Sequence, residues 1–248
     1  MRPVVLIPLA LLVGCAGSPP GASTCEACAK ADAGAPDAGP PDAGFPTSEW
    51  ARYTIAPGAH SATVERAAHG NPKAALVSGL AGRDYQFIFD ASAIYTLTEP
   101  VQPEDQLDWN KLPGLSDCNE YDLSVSGVMF GWRWRLDTEP QVLELTAYAN
   151  DSGQHLTPAA PLVTLDAADL ASEAPLRYRL WAEGALYHFE ISGEVRGRAI
   201  DASATLPRQC PELAPAELSI QWAAGFYFGG TSTAPSTITG RVFELPFH

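Results

Sequence analysis

From residue 50 onward, apolar and polar side chains alternate with a period of two along most of the chain. In the segment RDYQFIFD, the aromatic residues Tyr85, Phe87 and Phe89 share one face, and Gln86 lies on the other. Because successive side chains of a β-strand point to opposite faces of the sheet, this alternation predicts strands with one buried face. The pattern recurs in ARYTI, SATVE, GVMFGWRWRL, QVLELTAYA, PLVTL, LRYRLW, LYHFEI, GEVRGRAI, LSIQWA and TITGRVFEL.

The segment GVMFGWRWRL, residues 127–136, has the largest side chains on a single face. As a strand it places Trp132 and Trp134 on an apolar face, and Arg133 and Arg135 on the opposite one. An unbroken row of large apolar residues is typical of a core, so we expect the two tryptophans to pack between sheets.

The arginine face of this segment is the candidate functional surface. A hairpin with QVLELTAYA across DTEP would bring Arg133, Arg135, Glu144 and Tyr148 onto one surface. Two interpretations are open at this point. The surface is either a solvated outer face with cross-strand ion pairs or the concave floor of a binding groove.

Many short strands separated by Gly and Pro, with no alternation of strands and helices, predict an all-β sandwich or barrel. Only DAADLASEA, residues 166–174, has a helical pattern. The roughly 200 residues of 50–248 suit one domain. We expect its core to contain Phe87, Phe89, Phe130, Trp132, Trp134, Leu143, Leu145 and Phe189.

Residues 1–14 predict export. Arg2 precedes the apolar run VVLIPLALLV, which is shorter than the about 20 residues that span a bilayer. A basic start, a short apolar stretch and a small residue before the cleavage point are typical of a signal peptide. The sequence LVGC resembles the bacterial lipoprotein signal, which implies cleavage before Cys15 and lipidation of its sulfur. An ordinary signal peptide with an incidental cysteine is the alternative.

Residues 15–49 predict a spacer. They are rich in Ala, Gly, Pro, Ser and Asp, and include the repeats of DAGAPDAGPPDAGFP. Such a composition cannot bury enough apolar surface to fold, so we expect a disordered, extended linker. The resulting expectation is a cell-envelope lipoprotein that contacts the membrane only through its lipid. The outer membrane is favoured over the inner, because Ala16 and Gly17 lack the aspartate of the commonest inner-membrane retention rule.

A family resemblance rests on NKLPGLSDC, residues 110–118, and on FGWRW, LELTAYAN, YHFEISGE and FYFGGTSTAPSTIT. Together these segments resemble secreted bacterial β-sandwich domains related to concanavalin A-like lectins and glucanases, over about residues 83–238. The resemblance implies a jelly roll whose concave sheet binds carbohydrate, and it implies no particular reaction. Neither the acidic E-x-D-x-x-E strand nor the Arg, Gln-x-His and Tyr set of the alginate-lyase type occurs in the sequence.

Two cysteines lie in the predicted domain, Cys118 and Cys210. In an oxidising compartment they are expected to pair. Such a bridge closes a loop of about 90 residues and contributes about 4 kcal/mol in the chain-entropy model. Cys25 and Cys28 form a C-x-x-C in the linker, without the strand and helix that redox chemistry needs; a local disulfide or one to a partner is the simpler expectation.

The net charge of −14, from 29 acidic and 15 basic residues, argues against nucleic acid as a partner. The acidic excess also makes calcium a candidate ligand, because this ion prefers carboxylate and carbonyl oxygens. The densest acidic segment is EDQLDWN, where Asp105 and Asp108 are weak candidate ligands. A solvated loop is the alternative, and no other cofactor is expected.

No G-x-S-x-G, H-E-x-x-H or glycine-rich phosphate motif occurs. The sequence therefore favours a non-catalytic domain that binds carbohydrate. An envelope protein that binds a protein partner, or has a structural role, is the alternative, and a polysaccharide lyase or glycoside hydrolase is the second alternative. The candidate ligand-binding residues are Arg133, Arg135, Glu144, Tyr148, His188 and Tyr227, with Tyr187 as the weakest addition and Trp109 as a further stacking ring.

Overall fold

A computed structural model describes residues 44–73, 76–209 and 220–247. In these ranges the chain forms fifteen strands. Their bounds are β1 Ala51–Ile55, β2 Thr63–Glu65, β3 Leu76–Ser78, β4 Gly82–Phe89, β5 Asn110–Lys111, β6 Gly114–Ser116, β7 Gly127–Arg135, β8 Val142–Asp151, β9 Gln154–Leu156, β10 Val163–Asp166, β11 Leu176–Glu183, β12 Leu186–Val195, β13 Arg198–Pro207, β14 Ile220–Ala224 and β15 Ile238–Leu245. No helix in the described ranges is long and apolar enough to cross a membrane.

The strands form two antiparallel sheets that face each other as a sandwich. The first sheet has the order β13-β12-β11-β4-β15-β1-β2. The second has the order β10-β8-β7-β6-β14-β3, with β5 paired to β7 and β9 paired to β8. The predicted all-β, jelly-roll-like sandwich is confirmed. Five of the thirteen strand pairings among the described residues, such as that of β4 with β15, join strands that are far apart in sequence.

The core lies between the sheets and is rich in aromatic rings. Trp132 is fully buried and stacks on Phe226, with ring centroids 5.3 Å apart. Phe130 meets Phe189 of the opposite sheet edge to face at 5.4 Å. Every residue predicted for the core is buried: Phe87, Phe89, Phe130, Trp132, Trp134, Leu143, Leu145 and Phe189.

Two local predictions meet different outcomes. The brief helix is confirmed as α1, Ala167–Ala171, which begins with a capping box between Asp166 and Asp169. The predicted single strand at residues 193–200 is wrong, because the chain turns within it between β12 and β13. Arg196 and Gly197 have φ values of 51° and 78°, which a continuing strand does not allow.

A buried arginine links the two sheets. Arg83 on β4 of the first sheet is completely buried, and its side chain forms a bidentate ion pair with Glu244 of β15. It also donates to the carbonyls of Gly114 and Ala224 in the second sheet, at 2.9 and 2.7 Å. A fifth hydrogen bond reaches the carbonyl of Lys73 at 3.3 Å. All five guanidinium N–H donors are therefore satisfied.

The predicted signal peptide, Cys15 and most of the predicted linker lie outside the described residues. The last residues assigned to the linker contact the sandwich. Phe45 stacks on His69 at 4.7 Å and on Phe243 at 5.6 Å, and its carbonyl accepts a hydrogen bond from the indole of Trp50. These contacts cover an aromatic cluster on the outer face of the first sheet.

Candidate functional site

The predicted hairpin forms, and it places the arginines beside Glu144. Strands β7 and β8 pair with Arg133 directly opposite Glu144. Arg133 Nε donates to Glu144 at 2.7 Å, and Arg135 bonds to the same carboxylate and to Asp137. Since Glu144 across the hairpin and Asp137 next to the turn pair with the two arginines, the interpretation as an outer face with ion pairs describes this end of the strand.

Trp109 supports this ion-pair cluster from a neighbouring segment. The guanidinium of Arg133 lies 3.9 Å from the centroid of the Trp109 ring, a cation–π contact. Gly131 makes room for the ring, because a Cβ there would lie 3.2 Å from Trp109. One face of the Arg133 guanidinium thus packs on Trp109, and its N–H groups bond to Glu144 and to the carbonyl of Leu107, which leaves it little capacity to bind a ligand.

The structure does not bring His188 to this surface. His188 lies on β12, in the first sheet, and stacks on Trp181 at 4.8 Å. It therefore faces outward on the opposite side of the sandwich from Arg133. Tyr187, its neighbour, is fully buried and donates to Asp117 at 2.9 Å.

Tyr148 and Tyr227 do lie together, in a groove on the outer face of the second sheet. The groove has a volume of about 460 Å³ and opens to solvent. Its polar side chains come from β5, β8, β9 and β14 and from loops. The residues that carry its chemistry are Lys111, Tyr148, Asn150, His155, Trp222 and Tyr227.

Tyr148, His155 and Asn150 form a hydrogen-bonded group at one side of the groove. The Tyr148 hydroxyl lies 2.8 Å from Nδ1 of His155, and the same nitrogen lies 2.5 Å from Oδ1 of Asn150. The Asn150 amide nitrogen bonds to the carbonyl of Leu123, also at 2.5 Å. Burial raises the pKa of Tyr148 to about 12, and the negative charge of Asp108 adds to this effect. Tyr148 is therefore a phenol at neutral pH.

Lys111 places its amino group in the groove. Two backbone hydrogen bonds, at 2.8 and 3.0 Å, fix it beside Tyr227. Its Nζ donates to the carbonyl of Trp109 at 2.5 Å and lies 4.8 Å from the centroid of the Tyr148 ring. Burial lowers the pKa of Lys111 to about 8, although the carboxylate of Asp108 opposes the shift. A neutral amine is therefore accessible near physiological pH.

Aromatic rings are exposed where the groove opens. Tyr121 is 51% exposed, Trp222 44% and Tyr227 38%, and all three line the groove. His60 stacks on Tyr227 with centroids 5.5 Å apart and holds its ring. Exposed, supported rings offer flat apolar faces to a ligand while their polar edges stay solvated.

In the acidic segment predicted to bind calcium, hydrogen bonds hold the Asp105 carboxylate in place. Asp105 accepts hydrogen bonds from Thr231, Ser232 and the backbone of Gln102. Although burial raises the pKa of this carboxyl, those hydrogen bonds outweigh it and lower the pKa to about 2. Within the described ranges, no three His, Cys, Asp or Glu residues are grouped to hold a metal ion. Calcium at Asp105 and Asp108 stays a prediction.

The predicted Cys118–Cys210 disulfide cannot be followed fully, because Cys210 lies outside the described residues. The neighbours of both cysteines do meet. Arg208 pairs with Asp117 through bonds of 2.6 and 3.2 Å. This ion pair brings Asp117 and Arg208 together, and the Cys118–Cys210 bond stays a prediction.

Sequence reasoning missed Lys111, Asn150, His155 and Trp222. Of these four residues, His155 could have been found from the sequence. Ser152 and Gly153 both have positive φ, as a two-residue type I′ turn requires, and this turn places His155 opposite Asn150. Reading the DSGQ segment as a hairpin would have put His155 beside Tyr148.

Comparison with known protein families finds no match for this chain, and no curated protein matches it. Solved structures with a similar fold include an alginate lyase from Klebsiella pneumoniae, which is 16% identical with a TM-score of 0.41 over 68% of this chain and 59% of that one. The enzymatically active domain of tailspike protein 2 from bacteriophage CBA120 is 10% identical, with a TM-score of 0.36 over 79% of this chain and 27% of that one. An alginate lyase from Chlorella virus is 9% identical, with a TM-score of 0.33 over 78% of this chain and 81% of that one. This chain thus spans 59% of the length of the Klebsiella protein.

Proposed function

We propose that the groove binds an acidic polysaccharide and cleaves it by β-elimination, with Lys111 as general base and Tyr148 as general acid. One observation carries the proposal. Lys111 Nζ lies 4.8 Å from the Tyr148 ring centroid in an open groove, and the two pKa values are shifted in opposite directions, to about 8 and about 12. Paired groups whose environments separate their pKa values in this way are typical of acid–base catalysis.

The reaction balances with these two groups alone. The neutral Lys111 amine takes the proton on the carbon next to the uronate carboxyl group. The electrons of that C–H bond form a carbon–carbon double bond, and the bond to the glycosidic oxygen breaks. The Tyr148 phenol gives its proton to the departing oxygen, and the Lys111 ammonium then returns a proton to the Tyr148 phenolate, which restores both groups. The products are a chain with an unsaturated end and a chain with a new hydroxyl group, and no water is consumed.

The exposed rings at the groove favour a polysaccharide as the ligand. Tyr121, Trp222 and Tyr227 can stack on the apolar faces of successive sugar rings. This feature also supports a second candidate function, binding of carbohydrate without cleavage. The ionisable pair inside the groove supports the lyase over this alternative, because a binding site alone has no need for an amine with a lowered pKa.

Incubation of the purified chain with alginate, polygalacturonate and hyaluronan tests the proposal. Cleavage by elimination creates a conjugated double bond, which is followed by its ultraviolet absorbance. Because the base must be unprotonated, the rate should rise with pH through about 8. Binding to the same polymers is measured in parallel by calorimetry. Binding without product would support the second candidate, and neither binding nor product would support a structural or protein-binding role.

Matched variants assign the roles. Tyr148→Phe removes one hydroxyl and should lower kcat/KM by about 10²–10⁴-fold. Tyr121→Phe is the control, because it makes the same change on an exposed ring and keeps the stacking face. Lys111→Met should abolish the rise of activity with pH. Equal activity of the Tyr148 and Tyr121 variants would refute the assignment of the acid.

We also propose that the domain is displayed on the cell envelope by a lipid on Cys15, at the outer membrane. The signal resemblance and the spacer composition of residues 15–49 support this location. A polysaccharide-cleaving domain on a spacer can reach polymers that do not cross the membrane.

A further inference from the structure

Asn150 lies between two groups that together determine its orientation. Its side chain is buried, with Nδ2 at 2.5 Å from the carbonyl oxygen of Leu123. A carbonyl oxygen only accepts hydrogen bonds, so the atom facing Leu123 must be the amide nitrogen. The amide oxygen is thereby directed at Nδ1 of His155, at 2.5 Å.

This orientation fixes the position of the hydrogen on His155. An amide oxygen also only accepts, so Nδ1 of His155 must carry a hydrogen. In the neutral ring the other nitrogen, Nε2, is then unprotonated. The opposite tautomer would place two acceptors, Nδ1 of His155 and Oδ1 of Asn150, against each other.

The tautomer in turn determines what Tyr148 does with its proton. The Tyr148 hydroxyl oxygen lies 2.8 Å from the same Nδ1. A protonated Nδ1 can only donate, so its one hydrogen is shared between Asn150 Oδ1 and the Tyr148 oxygen, and the hydroxyl hydrogen of Tyr148 turns away from His155. We infer that Asn150 is a positioning residue that holds His155 in the Nδ1–H tautomer and so keeps the Tyr148 proton available to a ligand in the groove. The inference about the tautomer stands on these contacts, and its catalytic consequence rests on the proposed function.

Two substitutions separate this role from a structural one. Asn150→Asp keeps an acceptor facing His155 but loses the donor to Leu123. Asn150→Leu loses both. If Asn150 only anchored the loop at Leu123, the two variants would behave alike. If it fixes the tautomer, the Asp variant should keep the Nδ1–H form and the Leu variant should lose it.

Long-range ¹⁵N NMR of the imidazole rings reads the tautomer directly, with the His155 signals assigned by their loss in His155→Gln. The natural protein and Asn150→Asp should show a protonated Nδ1, and Asn150→Leu should shift toward Nε2–H. Circular dichroism establishes that each variant is folded. In the elimination assay the Leu variant should lose about tenfold or more in kcat, more than it changes KM, since a wrong tautomer costs about 10⁴-fold in a serine-protease triad.

The outcomes distinguish the two claims. An Nε2–H tautomer in the natural protein, or the same tautomer in all three proteins, would overturn the inference whatever the activity. A confirmed Nδ1–H tautomer in a protein that cleaves no uronate polymer would refute the proposed lyase and leave the assignment of Asn150 standing.

Discussion

Replacing Arg83 by Met should destabilise the sandwich more than the small change in side-chain volume suggests. Met fills much of the same volume, so the change tests the polar contacts rather than a cavity. It leaves Glu244 buried, with Lys73 at 3.8 Å as its remaining counter-charge among the described residues. It also leaves the carbonyls of Gly114 and Ala224 without the donors that join the two sheets.

The expected loss follows from these contacts. Burial lowers the pKa of Arg83, but Glu244 raises it by more, so the net shift is upward and the pair is favourable in the folded protein. Removing one partner of a buried ion pair costs about 3–5 kcal/mol, and each unsatisfied buried carbonyl costs about 1–3 kcal/mol more. These costs overlap, and we expect about 5 kcal/mol. That is a large part of the about 5–15 kcal/mol by which domains are stable.

Urea unfolding followed by tryptophan fluorescence measures the loss. Arg179→Met is the matched control, because that arginine pairs with Asp84 and Glu190 while 30% exposed, so its loss should stay below about 1 kcal/mol. The double variant Arg83→Met with Glu244→Leu should be at least as stable as Arg83→Met alone, since it removes the unpaired charge. A loss for Arg83→Met no larger than that of the control would refute this reasoning, as would a double variant that loses the sum of the single losses.

Trp132→Ala should lower the free energy of unfolding by about 3–5 kcal/mol, because the ring is fully buried; an unchanged urea midpoint would contradict its place in the core. The stability contributed by the Asp105 carboxylate is present above its unfolded pKa of about 3.9 and is lost as the pH falls toward about 2. Between these pH values the melting temperature should therefore fall less in Asp105→Asn than in the natural protein. An equal fall in the two proteins would contradict this role of the Asp105 carboxylate. Intact-mass analysis before and after reduction should find Cys118 bonded to Cys210 in exported protein, and two free thiols would disprove the bond. Cys15→Ser should move the folded protein from the membrane to the soluble fraction, whereas continued sedimentation with membranes would show another attachment.

Alternation along the chain predicted the faces of strands well, because it depends only on neighbouring residues. Trp132 and Trp134 are buried, and Arg133 faces Glu144 across a hairpin, as the period of two indicates. It could not assign strands to sheets. His188 has the polar-face pattern of Arg133, yet it lies on the other sheet, because sheet order depends on contacts between distant segments.

Most of the candidate site could not be predicted from the sequence, because its residues come from segments that are far apart along the chain. Lys111 and Tyr227 are 116 positions apart and meet through an isolated bridge between β5 and the segment after β14, which no local sequence pattern predicts. Tyr148 was predicted on the correct face, but its partners come from other segments. Only the Ser152–Gly153 turn, which pairs His155 with Asn150, could be predicted from neighbouring residues. The lowered pKa of Lys111 depends on burial, which appears only in the folded chain.

The aromatic stack at Phe45 bears on the proposed lipid anchor at Cys15. Within the described residues, contact with the sandwich begins at Phe45 rather than at Trp50. The five residues from Phe45 to Glu49 therefore add nothing to the proposed spacer of residues 15–49, whose extended length of roughly 100 Å at about 3 Å per residue falls by roughly 15 Å. A truncated protein that begins at residue 50 would also lack the Phe45 ring that covers Phe243. Its exposed aromatic patch would favour aggregation.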